Sequence, residues 1–91
     1  MGESGRFFCF AWMRLQDRVG LNIQDLRRAK KLSQEEVAHI AEIHQTYLSG
    51  VETGKRNASL LVLERIAKAL GVDAEELFRR RRPVQKKLSG P

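Results

Sequence analysis

The chain has 91 residues, 42% of them hydrophobic, and a net charge of +6, room for one small domain with a single core. It contains no run of eighteen apolar residues, so a membrane-spanning helix is excluded, and one cysteine, Cys9, can form neither an internal disulfide nor a multi-thiolate metal site.

The segment at residues 1–12 holds "FFCFAW", continued by Met13, too short to cross a bilayer. Arg6 precedes it, but no small-residue cleavage site follows before Arg14, Asp17 and Arg18, so the expected location is the cytoplasm. The segment reads as an upstream start, an arm or an apolar dimer-forming patch. From Met13 the pattern becomes helical. Leu15, Val19, Ile23 and Leu26 recur at four- and three-residue steps and predict a first helix over 13–31, loosened at Gly20. Ser33 with Glu36 forms a capping box that opens a second helix through Val37, Ala38 and Ala41. After the polar break at Glu42 to His44, a third short helix sets Tyr47, Leu48 and Val51 on one side and stops at Gly54. Ser59 caps a fourth helix, whose Leu63, Ile66, Ala67 and Leu70 form an inward stripe ending at Gly71. Asp73 with Glu76 predicts a second capping box and a fifth helix through Leu77 and Phe78.

No strand alternation occurs anywhere, so the expected fold is all-α, a compact five-helix bundle over 13–78. The tail, residues 79–91, follows. Residues 1–78 carry eleven Lys/Arg and eleven Asp/Glu, whereas "RRRRPVQKKLSGP" carries six cations and no acid, so all the excess charge lies there. Pro83 argues against a continued helix, and a solvated arm and a contact to nucleic-acid backbone both fit.

Two short helices joined by about three residues must cross steeply, as in a helix-turn-helix, and Ala38 is small where the crossing needs close approach. With Leu48 and Val51 inward, the third helix turns His44, Gln45, Thr46 and Ser49 outward. Such groups suit the DNA major groove, where Gln can bond adenine N6 and N7 together and Thr can meet a base edge or the thymine methyl. His39 and His44 are five residues apart, not the four that align two metal ligands on one helix, and no acid–nucleophile set accompanies them. No enzyme, metal, cofactor or small-molecule ligand is expected.

The stretch "LSQEEVAHIAEIHQTYLSGVETGKRNASLLVLERIAKALGVDAEELF" resembles the phage-repressor-like (lambda-repressor-like) helix-turn-helix family, also called the xenobiotic-response-element type. Within it, "QTYLSGVE" followed by "KRN" is most similar to the controller proteins of restriction-modification systems. Relatives of this kind also include prophage repressors and antitoxin-type autoregulators. The resemblance implies a cytoplasmic, homodimeric regulator that binds repeated operators on double-stranded DNA, with His44, Gln45, Thr46 and Ser49 at base edges. It further implies phosphate contacts at Gln34, Tyr47, Lys55, Arg56 and Asn57, a structural ion pair between Arg27 and Glu52, and a dimer interface at Leu77 and Phe78. Two departures stand out. Glu42 occupies the turn position where the family usually has glycine, and Gly50 inside the reading helix suggests close approach, either to DNA or to a neighbouring element. The competing reading is a helix-turn-helix adaptor that binds protein instead of DNA.

Overall fold

Residues 13–81 are described by the structure, a computed structural model; "FFCFAW", Cys9 and the tail beyond residue 81 lie outside the described residues. The elements in order are α1 (Leu15–Ala29), α2 (Gln34–Ala41), α3 (Gln45–Glu52), α4 (Leu60–Leu70) and a 3-10 helix (Ala74–Phe78). The described residues thus hold four α-helices, and the expected fifth helix is a single tightened turn.

Local chemistry sets most of these boundaries. At α2 the capping box forms as expected: the Glu36 amide donates to Ser33 Oγ at 3.0 Å, and the Ser33 amide donates to Glu36 Oε1 at 2.8 Å. Ser59 Oγ accepts from the Val62 amide at 3.1 Å to open α4, which closes on left-handed Gly71. The box expected at Asp73 does not form. Asp73 instead accepts from the Glu75 amide, two residues on, and the Glu76 carboxylate pairs with Arg79.

The reason the last helix stays short lies in α1. Buried Asn22 donates its side-chain amide to the carbonyls of both Leu77 and Arg79 at 2.9 Å, and Arg79 is already extended. Arg81 then returns to α1, donating to Asn22 Oδ1 and Asp25 Oδ2 at 2.8 Å each. Residues 79 and 81 are therefore clasped onto α1, and the start of the basic tail is part of the folded unit.

The core is built as the apolar spacing predicts, with Ile23, Val37, Leu48, Ile66, Leu70 and Leu77 fully buried. Helix α1 packs on α3 and on the 3-10 helix, while α2 packs on α3 and α4. Leu15 departs from its stripe: at the first turn of α1 it extends past the core and is 53% exposed. Gly20 does not loosen α1. A Cβ there would lie 2.5 Å from the carbonyl oxygen of Val51 and 2.6 Å from that of Glu52, so the missing side chain lets the end of α3 rest on the α1 backbone.

Both turns that lead into and through the helix-turn-helix contain a non-glycine residue in the left-handed region, Lys31 at φ 55° and Glu42 at φ 60°. At Glu42 this geometry ends α2 and lets the Ile43 amide reach the Ala38 carbonyl at 2.9 Å. Glu42 thus keeps the left-handed turn without the family's usual glycine, and Lys31 repeats that conformation where no sequence signal marked it. Replacing Glu42 by glycine is expected to raise the unfolding free energy by roughly 0.5–1 kcal/mol, the relief of the Cβ clash less the entropy glycine loses on folding. Urea unfolding reads this directly, and a decrease would show that the glutamate side chain stabilises the turn.

Candidate nucleic-acid interface

Helix α3 lies across α1 and α2 with Leu48, Val51 and Glu52 buried beneath it. On its other side His44, Gln45 and Thr46 are exposed, with Ser49 half-buried at the edge. These four form one polar row on a short protruding helix, the arrangement expected from their spacing. His44 occupies the N-cap position but makes no side-chain cap, and its backbone carbonyl accepts from the Tyr47 and Leu48 amides at 3.1 Å each.

Glu52 is the sole acid of α3 and is fully committed inside. Arg27 grips its carboxylate with two nitrogens, Nε at 2.8 Å and Nη2 at 3.1 Å, and the same arginine donates to the Leu32 carbonyl at 3.0 Å. Gln34 adds a third donor to Glu52 at 2.9 Å, and Gln24 donates to its backbone carbonyl at 2.8 Å. The ion pair expected from the resemblance is therefore present as the centre of a wider network tying α1 and α2 to the end of α3. Neither glutamine was marked for this network, and Gln34, expected to face phosphate, turns its amide nitrogen inward. Long polar side chains carry no periodicity that distinguishes an inward from an outward role. With its carboxylate neutralised, α3 offers no unpaired acid to repel a polyanion.

The loop after α3 carries Lys55, Arg56 and Asn57, all exposed. Arg56 arches back so that its guanidinium carbon lies 5.6 Å from the centre of the half-buried Tyr47 ring. Ile43, His44, Thr46, Tyr47 and Arg56 together line an open cleft of about 470 Å³ beside the polar row. Of the expected contact groups, the cleft brings together His44, Thr46, Tyr47 and Arg56, while Gln45, Ser49, Lys55 and Asn57 lie outside its lining. Leu77 and Phe78 do not share a comparable surface. Leu77 is fully buried in this chain's own core and cannot meet a partner, whereas half-buried Phe78 lines a second groove of about 240 Å³ with Leu15, Val19 and Leu63, which Arg56 and Asn57 of the exit loop also border. A sequence pattern cannot tell inward from outward apolar residues when they are neighbours on a 3-10 turn.

Among the described residues no helix is long and apolar enough to cross a membrane, and no three His, Cys, Asp or Glu side chains gather as a metal site.

Comparison with known proteins agrees with this geometry. A family model described as helix-turn-helix matches residues 23–77. Control protein C.MunI of a Mycoplasma species is 45% identical over 62 residues, covering 67% of this chain and 84% of that protein. Control protein C.BamHI of Bacillus amyloliquefaciens is 42% identical over 60 residues, covering 65% and 74%. The crystal structure of the restriction-modification controller protein C.AhdI from Aeromonas hydrophila superposes with a TM-score of 0.68 at 40% identity, covering 69% of this chain and 96% of that one. The chain therefore belongs to the helix-turn-helix family of DNA-binding transcription regulators.

Proposed function

We propose that this protein is a sequence-specific, controller-type regulator that binds a repeated operator as a homodimer in the cytoplasm and adjusts its own promoter. The observation that carries the reading is the polar row of α3 beside a cationic loop, with the helix's sole acid neutralised within the fold. In this reading Gln45 and Thr46 read base edges in the major groove, assisted by His44 and Ser49. Lys55, Arg56, Asn57 and the Tyr47 hydroxyl hold the phosphates on either side, with Gln34 in a supporting role. One eight-residue helix reads too few base pairs to find a single genomic site, and a second copy doubles the read. Phe78 and the exposed Leu15 beside it are the natural apolar surface for that second copy, in place of Leu77.

In vitro selection of bound DNA tests the reading and identifies the operator. Two half-sites separated by about one or more helical turns are expected. Gln45→Ala is then expected to lose roughly 1–3 kcal/mol on the selected operator while leaving binding to random DNA nearly unchanged. Failure to enrich any sequence would favour the protein-binding adaptor, and unchanged base preference in Gln45→Ala would reject α3 as the reading helix.

A further inference from the structure

Arg56 is exposed, yet its side chain is held at three levels. Its backbone amide and that of Lys55 both donate to the Gly50 carbonyl, at 3.1 and 2.9 Å, pinning the loop over the last turn of α3. Its aliphatic stem fills the space where a side chain at position 50 would stand. A Cβ built on Gly50 would lie 2.8 Å from Arg56 Cγ, 3.3 Å from Cδ and 3.4 Å from Cβ. Its head lies over the Tyr47 ring, within the range of a cation–π contact. Gly50 thus has a close neighbour, and the neighbour is this arginine.

Glycine in a helix interior disfavours the helix relative to alanine, so α3 draws no local stability from it. The arrangement does lower another cost. A long arginine on a loop must freeze its rotatable bonds when it binds, and one already lodged between a backbone and an aromatic face has frozen most of them. From this we propose that Gly50 is a positioning residue for DNA binding: the empty space at position 50 seats the Arg56 stem, and Tyr47 fixes its head, so that the guanidinium meets the phosphate backbone preorganised. The inference rests on the proposed DNA-binding reading and names the device behind one of its contacts.

Gly50→Ala tests it, because the atoms displaced belong to a surface side chain rather than to the core. Folding and thermal stability are expected to be retained or raised. Affinity for the selected operator and for random duplex DNA is expected to fall together by on the order of tenfold, with a shallower dependence on salt, because a phosphate contact is weakened. In a chain that already carries Arg56→Ala, the Gly50 substitution should have no further effect. Tyr47→Leu, compared with Tyr47→Phe, which loses the same hydroxyl but keeps the ring, should lose more affinity only while Arg56 is present. Wild-type affinity in Gly50→Ala would overturn the proposal. So would an equal loss with and without Arg56, which would mean that the glycine admits the DNA itself. Arg56→Ala alone keeps the two levels apart: no loss there refutes the phosphate contact, whereas a loss there without one in Gly50→Ala refutes only the seat. Should Gly50→Ala unfold the domain, the comparison of Tyr47→Leu with Tyr47→Phe decides whether the Arg56 head is preorganised, and an equal loss in the two would overturn the proposal.

Discussion

Glu52→Ala is expected to lower the unfolding free energy by roughly 3–5 kcal/mol, a large share of what a domain of this size possesses. The substitution strips three side-chain donors of their acceptor at once: Arg27 Nε, Arg27 Nη2 and Gln34 Nε2. The Arg27 side chain is 12% exposed and would keep its charge in a place with little water to solvate it. Urea unfolding followed by helical circular dichroism measures the loss. Replacing both partners, Arg27 by Met and Glu52 by Leu, should recover much of it, since an apolar pair leaves no charge stranded. A loss below about 1 kcal/mol in Glu52→Ala would mean that Arg27 finds another acceptor, and the network would not be what fixes the end of α3.

Leu77→Ala is expected to cost roughly 2–5 kcal/mol, the range for emptying a fully buried leucine site. The decisive feature is concentration. Because Leu77 fills this chain's own core between α1, α4 and the 3-10 helix, the loss should be the same in dilute and concentrated protein. An interface residue would instead shift the midpoint with concentration and change the sedimentation coefficient. A concentration-dependent loss would return Leu77 to the dimer surface.

Most of this architecture was legible because it rests on short-range chemistry. The capping box at Ser33, the cap at Ser59, the stop at Gly71 and the apolar steps through Ile23, Leu48 and Ile66 each act within a turn or one helix face. The outward row on α3 followed from the same periodicity. What could not be read depends on contacts between segments far apart in the chain. Asn22 reaches residues 77 and 79, and by satisfying their carbonyls it closes a helix that the pattern at Asp73 and Glu76 would have opened. Arg81 reaches Asp25 and Arg79 pairs with Glu76, so cations at the start of the tail are engaged within the fold, which a charge count alone does not reveal. Gly20 reads as a loosening of its helix and Gly50 as a site of close approach, yet both are close approaches. One admits the carbonyls of Val51 and Glu52 and the other the stem of Arg56, a difference visible only once the chain is folded.

The contact at Gly20 bears on how the proposed complex would form. With two carbonyl oxygens at the end of α3 seated against the α1 backbone, and Glu52 held by Arg27, the reading helix has little freedom to roll or slide within its domain. A rigid probe leaves mutual adjustment to the duplex. In the proposed complex, base steps between the half-sites, which no side chain need reach, would then contribute to selectivity through how readily they bend or narrow a groove, with pliant pyrimidine–purine steps yielding more easily than stiff A-tracts. Part of the address recognised by this protein would accordingly be written in the mechanics of the DNA.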